Sequence, residues 1–410
     1  MELKIQATIY TLGSIIYFAA LWILTVITTN ELGYEDVGIL TLAMAVGNVI
    51  AMIQMYGVRS YQASDMSFQY SPGDYLKARA LTVVIGWTIG ILTCITLGYS
   101  GKTMAVVVGF ILIKTSESFS DVLFGNDQRL GHLEYAGYSM IARGFILAIL
   151  FFLGVSFLKN LNAGLLIAGV GLFLLSITVD LPLHQKTVKK HNTFLNKGIS
   201  GILKDCFPLL IAVLIPVCIN AIPRVVLERY YGVETLGYYG NVSTPGLLLT
   251  TVVPTVLTAI MPVYGEAVLK HDYRRIQKIW IESIVGVVVL TGICVIGVFL
   301  IGQPLLAFVY TDAIIPYIDY LCFILISMMF YTITMCNNCV LTAVRKNREL
   351  SVFSGIALAV CILSSILLVK NWGINGAIAS LAIPFFVQIT IQGAYIIGLL
   401  SKRKCFELKL

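Results

Sequence analysis

Twelve apolar stretches, each long enough to cross a membrane as a helix, run through the sequence from about residues 7–29 to about 374–400. A helix needs about 20 apolar residues to span the hydrocarbon core of a bilayer. Apolar residues make up 58% of the 410 residues and charged residues 12%, whereas soluble domains carry about 25% charged residues. Alternating ten-residue stretches typical of a transmembrane β-barrel are not seen. We therefore predict an all-α, polytopic membrane protein with about twelve transmembrane helices.

The longest polar segment of the chain, 184–204, divides the predicted spans into two sets of six. The first set lies within 1–183 and the second within 205–400, and a polar tail follows at 401–410. The first apolar stretch is too long for the core of a signal peptide and lacks a small-residue cleavage site, so we expect it to be retained. We predict two six-helix bundles joined by a cytoplasmic linker.

Basic residues are distributed unevenly between the two predicted faces of the membrane. With the N-terminus in the cytoplasm, 22 of the 28 Lys and Arg residues fall in the tails and in the loops after even-numbered spans, and 5 fall on the opposite face. Cytoplasmic loops of membrane proteins carry such an excess. This topology explains the net charge of +7, so we predict cytoplasmic termini and no nucleic-acid partner.

Two short motifs recur about 200 residues apart. Gly33–Gly38 and Gly232–Gly237 both fit G-x-E-x-[VL]-G, and Lys159–Gly164 and Lys370–Gly376 both join Lys-Asn to a downstream glycine. The offsets between these pairs, 199 and 211 residues, fit one duplication with small later changes in loop length. Transporters built from two related halves bind substrate between them. With six spans in each half, we predict parallel repeats around a central cavity.

Four segments resemble the polysaccharide-export branch of the multidrug/oligosaccharidyl-lipid/polysaccharide exporter superfamily, which includes the bacterial O-antigen (Wzx-type) flippases. They are Tyr10–Ser14, Ile27–Ala43, Gly57–Arg59 and Lys370–Ser380. The resemblance implies alternating access in the bacterial cytoplasmic (inner) membrane. The implied substrate is an undecaprenyl-pyrophosphate-linked oligosaccharide, such as an O-antigen repeat unit, carried from the cytoplasmic to the periplasmic leaflet. Implied partners are this substrate, membrane lipids and other polysaccharide-assembly proteins, with no cofactor.

The fourth span carries four polar residues, Lys114, Glu117, Ser118 and Asp121, whose spacing places them on one helical face. Lys114 lies about eleven residues from either end of its span, near mid-membrane. Charged groups at this depth are costly and usually line a transport pathway. We predict that Lys114 contacts pyrophosphate or sugar, and that Glu117 is either its partner or a proton or cation site, with Asp121 a further candidate on the same face. The alternatives are a structural Lys114–Glu117 pair that holds helices together, or a span whose true bounds place these charges near a loop.

Three arginines outside the fourth span are further candidates. Arg224 and Glu228 lie one turn apart in the seventh span, which three prolines interrupt. Arg224 either faces the cavity and binds phosphate or forms an outer-surface pair with Glu228. Because the N-terminal repeat has no basic residue at the position of Arg224, Arg59 and Arg143 are candidates for the missing charge. The simpler interpretation of both is as cytoplasmic anchors.

The tenth span contains adjacent amides, Asn337 and Asn338, that either bind sugar hydroxyls or form hydrogen bonds between helices. They lie between Cys336 and Cys339, whose C-x-x-C spacing inside a span favours helix packing over redox or metal chemistry. The four histidines lack ligand spacing, so no metal site is predicted. The same two alternatives apply to four further amides: Asn48, Gln54, Gln388 and Gln392.

Two other functions remain open from the sequence. One is a small-molecule exporter of the same superfamily, coupled to Na⁺ or H⁺ through Glu117 and Asp121. The other is a membrane-embedded polymerase or ligase acting on lipid-linked sugars, which would be expected to need acid, base or nucleophile groups in a sizeable outer loop. The predicted outer loops are about 15 residues or shorter and contain no histidine. No P-loop motif for ATP binding is present, so we predict a transporter that is not an enzyme.

Overall fold

The computed structural model describes residues 3–65, 69–188 and 198–401, and the described chain is built from helices without any strand. The N-terminal helices have these bounds: α1 Leu3–Leu32, α2 Tyr34–Met55, α3 Pro72–Thr96, α4 Gly101–Arg129, α5 Leu133–Leu158 and α6, which comprises Leu161–Leu175, a π-helical turn Ser176–Asp180 and Leu181–Val188. A short helix, Val58–Ser64, follows α2.

The C-terminal helices begin with the helical run Ile199–Ser243, which Gly232 divides into α7 (199–231) and the start of α8. The others have these bounds: α8 from 233 through Leu247–Leu269; α9 from Tyr273–Gly297 through Val298–Gly302 to Gln303–Val309; α10 from Asp312–Tyr317 to Ile318–Ala343; α11 from Asn347–Ser364 through Ser365–Val369 to 372; and α12 from 374 to 401. Gly373 has non-helical backbone angles and separates α11 from α12.

Among the described residues, nine helical runs are long and apolar enough to cross a membrane. Two of these runs, 199–243 and 348–401, each contain one of the dividing glycines and therefore comprise two helices. Together with α4, which is 29 residues long but carries charges at its centre, the described chain has twelve membrane-length helices. The prediction of an all-α, polytopic membrane protein is confirmed.

The duplicated turn motif adopts the same backbone conformation in both halves. Gly33 has φ 93° and ψ −179° before α2, and Gly232 has φ 82° and ψ 171° before α8. Such positive φ values favour glycine because it has no Cβ. In the second motif, a Cβ on Gly164 would lie 2.6 Å from Val155, and one on Gly376 would lie 2.7 Å from the Cα of Val369. Each glycine allows close packing between a helix and the helix before it, which supports the duplication.

The chain divides into two compact units, 1–221 and 222–410, so the division falls inside α7. Residues 199–221 belong to the first unit, where the Tyr61 and Tyr70 hydroxyls donate to Asp205 at 2.9 and 3.0 Å. Burial and this hydrogen bond raise the pKa of Tyr70 to about 12, which keeps it a donor at neutral pH. Most of the predicted linker (189–197) and tail (402–410) lies outside the described residues, and the bundle boundaries at 183 and 205 stay predictions.

Glycines position α1 and the turn after α2 within the first unit. A Cβ on Gly137 of α5 would lie 2.7 Å from the backbone nitrogen of Tyr10, so α1 and α5 are in close backbone contact. After α2, Tyr56 and Gly57 both have positive φ, 53° and 66°, and a Cβ on Gly57 would lie 2.6 Å from the Cβ of Leu209. This turn redirects the chain and places Arg59 beside α4.

Candidate functional site

The Lys114 ammonium lies buried in the first unit and is paired with Glu117. Its Nζ donates to both carboxylate oxygens of Glu117, at 2.9 and 3.0 Å, and lies 5.3 Å from the centre of the Phe110 ring. The Tyr17 hydroxyl, from α1, donates to Oε1 of the same carboxylate. The carboxylate of Glu117 therefore links a cation on its own helix to a phenol on α1.

Asp121 lies one turn further along α4 and pairs with two arginines instead of Lys114. Arg79 Nη2, from α3, lies 2.9 Å from Asp121 Oδ2, and Arg59 Nη1 lies 3.6 Å from Oδ1. Arg79 also donates to the backbone oxygen of Gln54 and, at 3.3 Å, to Ser118 Oγ. Two guanidinium groups thus share one carboxylate, which leaves one positive charge in excess.

Arg59 is the accessible member of this cluster. Its side chain is 20% exposed, whereas that of Arg79 is 1% exposed. Arg59 Nη1 donates to the Tyr10 hydroxyl at 3.0 Å, and its guanidinium carbon lies 4.9 Å from the centre of the Tyr10 ring. Tyr10 and Tyr17 are seven residues apart on α1, two turns, and each contacts one of the charged groups on or beside α4. We call the set Tyr10, Tyr17, Arg59, Arg79, Lys114, Glu117 and Asp121 the polar strip.

Arg143 belongs to a separate buried cluster between α4, α5 and α6. Its Nη2 lies 3.0 Å from Asp180 Oδ2, and both side chains are 2% exposed. Arg143 also donates to Ser116 Oγ at 3.0 Å and to the hydroxyls of Ser120 and Ser176. This burial contradicts the interpretation of Arg143 as a cytoplasmic anchor; its contacts hold helices of the first unit together.

Arg224 is buried in the second unit beside α8. Its Nη2 donates to Ser243 Oγ at 3.5 Å, and its guanidinium carbon lies 5.9 Å from the centre of the Tyr239 ring. Among the described carboxylates, none forms an ion pair with Arg224, and its Nε is buried without a hydrogen-bond partner. The alternative of an exposed outer-surface pair with Glu228 is therefore wrong. A buried guanidinium without a carboxylate is suited to an anionic ligand.

The two amides of α10 form hydrogen bonds to neighbouring helices. Asn337 Oδ1 accepts from Trp280 Nε1 of α9 at 2.8 Å, and Asn338 Oδ1 accepts from Gln392 Nε2 of α12 at 2.9 Å. Asn337 Nδ2 is buried without a partner. These contacts favour the interhelical alternative over sugar binding, and Asn337 has one donor to spare. Gln388 likewise donates to Ser354 of α11 at 3.1 Å.

Three members of the polar strip were not identified from the sequence. Tyr10 and Tyr17 look like ordinary aromatic residues of an apolar span, and Arg79 lies near the predicted end of the third span, where it was assigned to the positive-inside charge. The seven-residue spacing of Tyr10 and Tyr17 on α1 places them on one helical face, but this alone is a weak indication of a functional role. Only the adjacency of α1, α3 and α4 shows that they contact Lys114, Glu117 and Asp121.

No family model matches the sequence. The chain is 24% identical over 373 residues to the capsular polysaccharide biosynthesis protein CapF of Staphylococcus aureus, covering 87% of this chain and 89% of CapF. Among solved structures it is similar to a mutant of the Vibrio cholerae MATE transporter VcmN, with a TM-score of 0.68 at 13% identity, covering 98% of this chain and 97% of VcmN.

The lipid II flippase MurJ, in its inward closed conformation, is also similar in structure. The TM-score is 0.66 at 14% identity, and 96% of this chain and 89% of MurJ are covered. These structures share one fold with the present chain although their sequences have diverged widely. The chain is thus a multi-pass membrane protein with the fold of MATE transporters and of the MurJ flippase.

Proposed function

We propose that this protein is a flippase that moves an undecaprenyl-pyrophosphate-linked oligosaccharide, such as an O-antigen or capsule repeat unit, between membrane leaflets. The observation that carries the proposal is the excess positive charge of the polar strip, where Arg59 and Arg79 share the single carboxylate of Asp121. A guanidinium held among buried side chains without a carboxylate of its own is costly unless a ligand neutralises it. The pyrophosphate of such a substrate supplies the opposite charge.

Arg59 has the geometry to make the first contact with the pyrophosphate. Arg79 is buried and forms a close ion pair with Asp121 at 2.9 Å. Arg59 is partly exposed and lies 3.6 Å from the same carboxylate. A guanidinium presents paired N–H donors that match phosphate oxygens. Substrate oxygens can therefore displace the long contact to Asp121 while Arg79 keeps Asp121 neutralised.

Lys114 provides a third cation of the polar strip, on α4, seven residues from Asp121 and therefore about 10 Å nearer to the middle of the membrane. In the present structure the Lys114 ammonium donates to both carboxylate oxygens of Glu117. A proton on Glu117 would weaken this pair and free the ammonium for the pyrophosphate. We propose this exchange as the link between substrate movement and H⁺, with Tyr17 holding the carboxylate in place.

Arg224 is the proposed contact in the second unit, because its guanidinium is buried without an ion-pair partner among the described residues. The similarities support the proposal at the level of class. CapF is a capsular polysaccharide biosynthesis protein, and MurJ is a lipid II flippase. We propose a bacterial inner-membrane location from the same similarities.

The decisive experiment is leaflet-resolved accumulation of the lipid-linked oligosaccharide in a strain that lacks this protein. We expect the oligosaccharide to accumulate in the cytoplasmic leaflet, and the intact gene to restore export while a gene carrying Arg59→Ala does not. Lys346→Ala is the control, because Lys346 forms a partly exposed pair with Glu349 outside the polar strip. Equal distribution between the leaflets in the deletion strain would contradict the proposal.

The second candidate, a small-molecule exporter coupled to Na⁺ or H⁺, is favoured by the similarity to the MATE transporter and by the carboxylate of Glu117 inside the first unit. Purified protein in vesicles separates the two functions. An exporter would expel a cationic dye under an ion gradient, whereas a flippase would move a labelled polyprenyl-pyrophosphate saccharide and leave the dye unchanged.

A further inference from the structure

An apolar groove of about 460 Å³ lies in the second unit between α8, α9 and α10. Its inner wall is made of buried side chains, Val253 and Leu257 of α8, Val287 of α9 and Cys336 of α10. Val256 lines the groove as well and is 54% exposed, so the groove is open at one side. Most of the lining side chains are apolar and offer shape and dispersion contacts, and the polar ones are Glu282 and Ser283 of α9.

The groove runs along the helices, in the direction of the membrane normal. It is lined from 253 to 263 on α8 and from 279 to 290 on α9, which corresponds to a length of about 15 Å at 1.5 Å per residue. This is about half of the hydrocarbon core of a bilayer.

Helix α9 exposes the groove to the hydrocarbon phase. The span 273–309 has the most apolar window of the nine spans found in the described residues, and 11% of that window is buried. Gly286 lines the groove at its open side, and a Cβ placed on it would meet no atom within 4 Å. A chain in the lipid can therefore enter sideways without displacing a side chain.

Basic side chains gather beyond one end of the groove. Lys278 lies 3.8 Å from Glu282 on the rim, and Glu266 pairs with Lys270 at 2.6 Å and Arg275 at 3.4 Å. These three cations face two carboxylates, so one positive charge is in excess. An apolar groove with a cationic end fits a lipid whose head carries phosphate.

We propose that this groove binds the polyprenyl chain of the substrate, an inference that rests on the proposed flippase function. A pyrophosphate carries more negative charge than the phosphodiester of a phospholipid, so it complements the excess positive charge beyond the end of the groove better. Because lipid tails are as apolar as the groove, no hydrophobic driving force favours binding. Selection comes from the fit of a methyl-branched chain against Val253, Leu257 and Val287.

The direct test is photolabelling of the purified protein in nanodiscs. One probe is a polyprenyl pyrophosphate with a diazirine on its chain, and the other is phosphatidylglycerol with a diazirine on one acyl chain. We expect the polyprenyl probe to label peptides from 253–263 and 279–290 at least tenfold more than the phosphatidylglycerol probe. Equal labelling by both probes would show a general lipid site and overturn the proposal.

A matched pair of glycine variants tests the groove itself. Gly286→Phe fills it, whereas Gly292→Phe places the same side chain on the same helix outside it, and both positions have open space around an added Cβ. We expect Gly286→Phe to reduce labelling of these peptides about tenfold, and Gly292→Phe to leave it unchanged. Unchanged labelling in a folded Gly286→Phe variant would contradict the proposal, and labelling of the unmodified protein decides the question if that variant does not fold.

The outcomes separate this inference from the proposed function. Polyprenyl labelling confined to peptides outside the groove would refute the groove and leave the flippase function standing. Absence of specific polyprenyl labelling anywhere in the chain would refute both.

Discussion

Lys114 and Glu117 form an ion pair at a depth where a single charge is expensive. A lone Lys or Asp at the centre of a membrane helix costs about 2.5–3.5 kcal/mol on insertion scales, and removing one partner of a buried pair costs about 3–5 kcal/mol. The Lys114 ammonium lies 2.9 and 3.0 Å from the two carboxylate oxygens of Glu117, and the Tyr17 hydroxyl donates to the same carboxylate. These contacts compensate the charge of each group. Stability alone is therefore a sufficient reason for the pair, and function must be tested separately.

A double substitution distinguishes these roles. We expect Lys114→Ala alone to lower the protein level, because it leaves the Glu117 carboxylate buried without a cation. Lys114→Ala with Glu117→Ala should restore the protein level but not transport, since the substrate cation is still missing. Immunoblots of membranes and a vesicle flipping assay measure the two effects. Full transport by the well-expressed double variant would remove Lys114 from the substrate pathway.

Arg59 should be sensitive to geometry as well as to charge. Arg59→Lys keeps the cation but loses the paired donors, so we expect transport to fall about tenfold, and Arg59→Ala to abolish it, with the folding of both unaffected because Arg79 still neutralises Asp121. Arg79→Ala, by contrast, should destabilise the protein, because Arg79 is buried and also bonds Gln54 and Ser118. Thermal unfolding in detergent and transport in vesicles separate the two arginines. Normal transport by Arg59→Ala would contradict the assignment.

The helical face of Lys114, Glu117 and Asp121 was predicted from spacing alone, because residues three, four and seven apart share a face. The Lys114–Glu117 pair was one alternative in that prediction, whereas the contacts with Tyr17 and Arg79 were not predicted. Spacing within one span carries no information about which other span lies beside it, so Tyr17 and Arg79 remained hidden. Arg143 was misplaced for a related reason. Near the end of a predicted span a basic residue looks like an anchor, whereas in the structure Arg143 is paired with Asp180 and donates to four serines.

The duplicated turn is an element whose glycines act through the backbone. A non-glycine residue held at φ near 90° and ψ near 180° costs roughly 1–3 kcal/mol, and a Cβ on Gly33 or Gly232 would meet no atom within 4 Å. We therefore expect Gly33→Ala and Gly232→Ala to destabilise the protein by similar, additive amounts, visible as lower thermal unfolding temperatures. Gly286→Ala in the open part of α9 is the control and should be neutral or slightly stabilising. A clear difference between the two turns would argue against their equivalence.

The sequence predicted this repeat because glycine at positive φ leaves a recognisable pattern. The boundary between the two compact units, at residues 221 and 222, has no comparable pattern in the sequence. Polar composition favoured a boundary in 184–204, whereas the contacts of Asp205 and Leu209 place the first part of α7 in the first unit. The polar composition of a loop indicates that it is in contact with water. It does not indicate which helices pack together.

The distribution of basic residues predicts the orientation of the whole molecule in the membrane, and this prediction is open to a direct test. We expect a single cysteine at position 190 or 270 to react with a membrane-impermeant reagent only from the cytoplasmic side, and one at 159 only from the outside. Position 190 lies outside the described residues, whereas Lys159 and Lys270 occupy the ends of α5 and α8. Reaction of 159 and 270 from the same side would invalidate the twelve-span topology.

The membership of residues 199–221 in the first unit has a consequence for how the chain can be cut. A protein expressed as two separate pieces, 1–193 and 194–410, would break the backbone in the polar segment, yet the second piece would still carry the helix that packs against Tyr61, Tyr70 and Gly57. We expect the two pieces to co-purify and to restore transport when produced together. Asp205→Ala in the second piece should weaken their association. Pieces divided at 221, where each compact unit stays whole, should each be more resistant to proteolysis when produced alone.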